Sequence, residues 1–400
     1  MSKLADDEAM QYAAADPSEV AELVRRKVSS EAGSETVVAA VSGGVDSTVA
    51  AAIAARELDG RLIPVLIDTG FLRQNEPEYV EDLFRRSLGL ELRVLDASQR
   101  FYEAVSGLED AEEKRKAFRQ TFYRVLGEFA KNAGAKLLLQ GTIAPDWIET
   151  TGGIKTQHNV LAQMGVDSVK EYGFGLIEPL SYLYKDQVRS LGRFLGIPDQ
   201  FLNRQPFPGP GLLVRAVGKV SPLKLKVLKA GTPIVETGLE EYGPSQWFVA
   251  AFGSSAKSPR KVLSGTENWS FREKVTGVRG DSRVYGELLG IGPSAKASAQ
   301  RFDDEVHSLY EERRTLVREA ASKKDVARLC LRLAAKSDGG SGVSLVIRAV
   351  KTSDFMTADI LEPPFPALKL LSERLLALAE EVSDVFYDLT PKPPATIEFE

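Results

Sequence analysis

The stretch Val37-Val38-Ala39-Ala40-Val41-Ser42-Gly43-Gly44-Val45-Asp46-Ser47-Thr48 decides how the chain is read. Five small apolar residues run into Ser-Gly-Gly-Val-Asp-Ser, and an alanine-rich segment, residues 49–56, follows. This pattern predicts a buried strand, a glycine turn and a helix start. The first N–H groups of a helix find no acceptor in their own helix, and the dipole adds partial positive charge there. Such a junction therefore holds an anion. Gly43 and Gly44 let backbone approach a phosphate with no Cβ in the way. Ser42 and Ser47 add hydroxyl donors. Asp46 is the odd member, because a carboxylate beside a phosphate repels it unless a cation lies between. It points to Mg²⁺, with Asp46 as the metal ligand.

Outward from this loop, strands are expected at residues 62–67, 92–95, 136–140 and 175–178, with helices between them. Asp16-Pro17 reads as an N-cap and first helical residue, opening a helix that ends near Gly33. Residues 109–132 form a long helical region. Strands alternating with helices at βαβ spacing predict a parallel sheet with helices on both faces. Ligands of such sheets sit beyond the C-terminal ends of the strands. Ser42, Asp68 and Gly141 all lie there, so they are expected to share one cleft.

The run Gln205-Pro206-Phe207-Pro208-Gly209-Pro210-Gly211 is a stiff connector that divides the chain into residues 1–208 and 209–400. In the second part, residues 217–228 read as strand then helix, 253–270 as a loop, and 292–340 as a charged helical insertion. A strand is expected at 343–350, a helix at 366–381 and a short strand at 385–388. The one cysteine, Cys330, falls in a helical apolar pattern and reads as a core thiol.

A chain of 400 residues suggests two domains. Hydrophobic content of 43% and charged content of 27% are those of a soluble globular protein. A net charge of -5 argues against a nucleic-acid-binding surface. A single cysteine excludes an internal disulfide and a multi-Cys zinc site. No run has the length of a membrane span and no signal peptide precedes the first helix, so a cytoplasmic location is expected.

The loop lacks the lysine of a G-x-x-x-x-G-K-[ST] P-loop. It resembles the SGGxDS loop of the ATP pyrophosphatase (PP-loop) family, with its adenine-nucleotide α-hydrolase-like fold, whose members release pyrophosphate and adenylate their substrate. Further segments narrow the resemblance to the synthetase part of GMP synthetases. They are 41–47, 112–116, Gln140-Gly141-Thr142-Ile143-Ala144-Pro145-Asp146, Ile154-Lys155-Thr156-Gln157-His158-Asn159, 176–189, 206–215, 277–285, 348–358 and 392–400. The most specific are 206–211 and 392–398.

The resemblance implies a ligase with two steps. ATP adenylates O2 of xanthosine 5′-monophosphate (XMP) with loss of pyrophosphate, and ammonia then displaces AMP to give GMP. It assigns ATP and pyrophosphate to Ser42, Gly43, Gly44, Val45, Asp46, Ser47, Asp68, Gly141, Thr142 and Lys185. It assigns XMP to Arg115, Pro208, Gly209, Lys392, Ile397 and Glu398. Asp46, Lys185 and His158 are the catalytic candidates, with His158 on a lid at 150–170. Taken alone, Lys185 is a surface lysine, 112–116 a solvated helix face and the tail a frayed end. Two positions depart from the family pattern: Gln205 stands where His is usual, and Arg279 where a neutral or Lys residue is common.

About 30 residues precede the first strand, too few for the amidotransferase domain that most GMP synthetases carry. Cys330 is also in the wrong context for that nucleophile. The chain is thus expected to be the synthetase subunit of a two-subunit enzyme, taking ammonia from solution or from a separate glutaminase subunit. The resemblance also implies a homodimer, formed through a smaller α+β C-terminal domain that shares in XMP binding. Two other readings are an adenylating PP-loop ligase or tRNA-modifying enzyme, and a non-catalytic nucleotide-binding subunit. Net acidity and the lone cysteine count against the first, and the presence of Asp46 and Lys185 against the second.

Overall fold

The computed structural model describes residues 11–12, 15–146, 168–253, 257–259, 262–263, 266–279, 282–293, 297–323, 325–336, 342–353 and 356–400. The chain forms two units of nearly equal length: residues 1–104 with 116–209, and residues 105–115 with 210–400.

The first unit begins with α1 (Pro17–Ala32), whose cap is the expected one. Asp16 Oδ1 accepts from the backbone N–H groups of Ser18 and Glu19 at 2.8 and 3.0 Å. Strand β1 (Val37–Val41) feeds α2 (Val45–Leu58), and β2 (Leu62–Asp68) precedes α3 (Glu76–Leu83). Then come β3 (Arg93–Asp96), α4 (Ser98–Val105), α5 (Ala111–Asn132), β4 (Leu137–Leu139), α6 (Ser168–Tyr172), β5 (Gly175–Ile177), α7 (Lys185–Phe194) and α8 (Asp199–Leu202).

The five strands are parallel, in the order β3-β2-β1-β4-β5. Val37 of β1 registers with Leu62 of β2 on one side and Leu137 of β4 on the other. β1 is central and buried on both faces, which is why it reads as a continuous apolar run. Val24 and Val28 of α1, Ala50 and Ile53 of α2, and Val188 and Leu191 of α7 close one core. The order reverses at β1, so the crevice between the ends of β1 and β4 is where a ligand is expected.

The second unit contains α9 (Pro222–Leu239), β6 (Gln246–Gly253), β7 (Lys257–Pro259), β8 (Glu267–Arg279), β9 (Ser282–Gly292), α10 (Ala299–Glu311) and α11 (Arg313–Ala321). It continues with β10 (Val326–Ala335), β11 (Val343–Lys351), β12 (Asp359–Ile360), α12 (Phe365–Leu376) and β13 (Val382–Asp388). Its mixed sheet runs β12-β11-β13-β10-β9-β8-β7, with β6 antiparallel on β11. Phe248, Phe252, Phe271, Phe386 and Phe399 meet edge to face in the core.

Three expectations for this half are corrected. Residues 253–270 contain β7 and the start of the long β8–β9 hairpin, not a plain loop. Among the described residues of 292–340 the last helix ends at Ala321; Val326–Ala335 is β10, an interior strand between β9 and β13. Burial on both faces removed the alternation that marks a strand, and Arg328 and Arg332, four residues apart, imitated one face of a helix. Cys330 is a buried thiol as expected, but on this strand.

Candidate active site

The loop after β1 is held by its own serines. Ser42 N–H donates to Ser47 Oγ at 3.1 Å, and the two hydroxyls lie 3.0 Å apart. Gly44 N–H reaches Ser42 Oγ at 3.3 Å, while the Ser47 and Thr48 hydroxyls donate to Gly44 O at 3.2 and 2.9 Å. Gly43 has φ +78°, a conformation that glycine adopts without strain. The loop is thereby fixed before any ligand arrives, with the first turn of α2 at its mouth.

Lys185, the first residue of α7, points its ammonium at this turn. Lys185 Nζ donates to Asp46 Oδ1 at 2.8 Å and Oδ2 at 2.7 Å. Burial pushes the Asp46 carboxyl above its ordinary value; Lys185 and Arg189 oppose the rise and the charge of Asp146 adds to it. The preceding residue sets the start of α7: Tyr184 N–H donates to Gln187 Oε1 at 2.9 Å, while the Tyr184 ring is exposed.

Other expected residues serve the loop indirectly. A Cβ on Gly141 would lie 2.5 Å from Ser47 N and 2.6 Å from Asp46 C, so Gly141 lets β4 end against the loop backbone. Thr142 donates to Glu178 Oε1 at 2.6 Å. Asp68 accepts from Gly70 N–H at 2.8 Å and so shapes the turn after β2. His158 and most of the 150–170 stretch lie outside the described residues.

In the second unit, residues 392–400 thread through a set of buried cations. Arg348 donates to Ile397 O and Thr396 O, both at 2.9 Å, and Arg328 to Thr396 O at 2.7 Å. Asp388 Oδ2 balances both guanidinium groups at 2.8 Å each. Burial alone would raise the Asp388 carboxyl, but Arg348 and Arg328 outweigh it and hold it below its usual value. Glu398 accepts from Arg215 Nε at 3.3 Å, Arg215 Nη2 at 3.1 Å and Gln246 Nε2 at 2.9 Å. A carboxylate has about four acceptor positions, so roughly one remains for a ligand.

Lys392 pairs its main chain with Ala358, N–H to O at 2.8 Å and O to N–H at 2.9 Å. Arg115 donates to Glu400 O, and Lys114 forms a buried ion pair with the Glu400 carboxylate. Arg283 Nη1 and the Tyr285 hydroxyl both reach Glu112 Oε1, at 2.9 and 2.8 Å. Burial first, and then the charge of Arg283, lower the Arg115 guanidinium, since the two cations repel each other. Arg115, Ile397 and Glu398 are thus joined to one segment, the last nine residues, which is ordered rather than frayed. Pro208 and Gly209 close the first unit.

Sequence comparison gives this geometry its family. A model described as NAD synthase matches residues 18–209, and one described as GMP synthase C terminal domain matches residues 341–399. The B subunit of the glutamine-hydrolyzing GMP synthase of Saccharolobus islandicus (strain M.14.25 / Kamchatka #1) is 44% identical over 385 residues, spanning 96% of this chain and 100% of that protein. The chain belongs to this family of GMP synthase subunits. The corresponding subunit of Pyrococcus horikoshii is 37% identical over 375 residues, 94% of this chain and 96% of its own. A solved NMN synthetase from Francisella tularensis is 19% identical, with a TM-score of 0.39, over 49% of this chain and 78% of that one. As a member of the GMP synthase family the chain is a ligase that forms a carbon–nitrogen bond.

Sequence reasoning missed several residues at both places. Glu76 and Arg204 form a forked ion pair against the Ser42–Ser47 loop. Asp146 and Arg189 contribute charge near Asp46. Arg283 and Tyr285 stand beside Arg115 through Glu112. Asp146, Arg189, Arg283 and Tyr285 lay inside the segments 140–146, 176–189 and 277–285 without being singled out, and Arg204 stood directly ahead of Gln205 and the proline run. They come from separate elements, and nothing in their spacing joins them.

Proposed function

We propose that this chain converts XMP to GMP with ATP and ammonia, through an adenyl-XMP intermediate, releasing pyrophosphate and AMP. The observation that carries the reading is the preset Ser42–Ser47 loop with Lys185 across it, in a chain that matches a GMP synthase subunit over 100% of that relative's length. Xanthine O2 attacks the α-phosphorus of ATP, and pyrophosphate leaves. The α2 N-terminus and the Lys185 ammonium face the leaving phosphates, where negative charge accumulates. Ammonia then attacks C2, and AMP leaves with the oxygen.

The donors around Asp46 fit a Mg²⁺ that arrives on the ATP phosphates. One carboxylate, phosphate oxygens and water make a suitable set of hard oxygen donors. Among the described residues no cluster of three acidic, His or Cys side chains could hold a metal by itself. When bound, the ion neutralises charge on the triphosphate.

For XMP, Arg115 and Lys392 suit the phosphate dianion, Arg283 adds a third cation, and Ile397 and Glu398 face the purine. Glutamine hydrolysis falls to a separate glutamine amidotransferase subunit, a division that the names of the two curated relatives support. We place the enzyme in the cytoplasm as a homodimer; among the described residues no helix is long and apolar enough to cross a membrane.

The test is incubation of the isolated chain with ATP, Mg²⁺, XMP and ammonium at alkaline pH. GMP and AMP should form in equal amounts. Turnover of another acceptor with no GMP would overturn the reading.

A further inference from the structure

We propose that Glu76 and Arg204 form a charge-balanced clamp beside the Ser42–Ser47 loop that keeps the wall of the loop open to an anion. Glu76 opens α3 and is only 5% exposed. A Cβ on Gly43 would lie 3.0 Å from Glu76 Oε1 and 3.4 Å from Val80 Cγ2, so the carboxylate borders the main chain of the loop at its left-handed glycine. A buried carboxylate there repels a polyphosphate. Arg204 cancels it with a parallel fork: Nη1 to Oε1 at 2.8 Å and Nη2 to Oε2 at 2.7 Å.

The fork is itself held in place. The Arg204 guanidinium lies 4.8 Å over the Tyr79 ring and 5.7 Å over Phe201, and the two rings stack at 6.3 Å. Tyr79 shares α3 with Glu76, and Phe201 shares α8 with the chain that leads to Arg204. The pair thus ties the loop to the residues just before the 205–211 run. Nearby, Arg73 lies 4.2 Å over Phe207 and joins the same two segments again. This inference rests on the reading that the loop holds the triphosphate of ATP.

Charge logic separates a clamp that serves the ligand from a pair that only stabilises the fold. The full chain is compared as wild type, Arg204→Met, Glu76→Gln and the double variant. Binding of α,β-methylene-ATP with Mg²⁺ is read by calorimetry, KM by AMP formation from ATP and XMP with ammonium, and folding by the thermal midpoint. Arg204→Met leaves an uncompensated carboxylate, so the analogue should bind about tenfold or more weakly and KM for ATP should rise with KM for XMP unchanged. Glu76→Gln should keep binding within about threefold, and in the double variant affinity should return to within about threefold of wild type.

Unchanged binding in Arg204→Met overturns the proposal. So does Glu76→Gln weakening the analogue as much as Arg204→Met, or a double variant as weak as Arg204→Met. Where Arg204→Met lowers the thermal midpoint too far to assay, Arg204→Gln, which keeps a hydrogen-bond donor to Glu76 but not the charge, takes its place with the same outcomes. A wild-type chain that binds the analogue but makes no AMP with XMP sinks the XMP reading and leaves the clamp standing. One that binds no analogue sinks both.

Discussion

At the scale of single residues, the loop depends on what its neighbours lack. Gly141 has no side chain, and the loop backbone fills that space at 2.5 Å. Gly141→Ala should destabilise the first unit by roughly 1–3 kcal/mol through overpacking. It should also lower pyrophosphate release, because the displaced atoms are those of Asp46 and Ser47. Urea unfolding and a pyrophosphate assay on one preparation check both; a stable variant with normal turnover would contradict the contact. Lys185 is the complementary case, a side chain whose charge is the point. Lys185→Met should reduce pyrophosphate release by about 10²–10³, the range for losing one preset donor at a site of developing charge. Folding should stay near that of the parent, since Lys185 is 38% exposed.

At the scale of elements, two segments that look loose in sequence are fixed by charge. Residues 392–400 cannot form a regular element with Pro393-Pro394 in the run, yet Arg115, Arg215, Arg328 and Arg348 all donate into the stretch. Their cost of burial is offset by Asp388, Glu398 and backbone carbonyls. The start of α9 shows the same device with an imbalance. Lys224 donates to Val217 O and, at 3.0 Å, to Lys219 O, while its nearest carboxylate, Glu273, is 3.9 Å away.

Burial lowers Lys224 to about 8 from an ordinary 10.5. The folded state thus releases its proton before the unfolded state does. Below about 8 both states are charged and the fold bears the full burial penalty. As pH rises from about 8 to 10.5 the unfolded chain binds more protons, so this group adds stability across that window. Lys224→Met should remove the dependence: its thermal midpoint relative to the parent should be highest at and below about pH 8 and the gap should narrow as pH rises towards 10.5. An unchanging gap would show that Lys224 is not the titrating group.

At the scale of the whole molecule, the family assignment divides the chemistry between chains. Ammonium should support turnover by the isolated chain and glutamine should not, until a glutamine amidotransferase subunit is added. GMP formation from glutamine by the pure chain would reveal a glutaminase site in it. Much of the first unit was legible because each β–α step is local: an apolar run, a polar edge and an amphipathic helix. The second unit was much less so. Its sheet joins strands far apart in sequence, such as β6 on β11 and β10 on β13, and its interior strand β10 carries two buried arginines.

By itself, the sequence determined the glycine turn at Ser42–Ser47, the parallel sheet that presents it, and the family. A glycine turn between strand and helix is legible because it is local: its N–H groups and dipole belong to consecutive backbone units and favour an anion whatever the side chains. Tertiary structure alone decided which charges stand together: Lys185 on Asp46, Arg204 on Glu76, Arg283 on Glu112 beside Arg115, and the arginines around Asp388. The paired residues lie from 40 to 171 positions apart in the chain, with no spacing to follow. Coulomb attraction acts through space, so it is set by the fold that brings distant residues within a few ångströms.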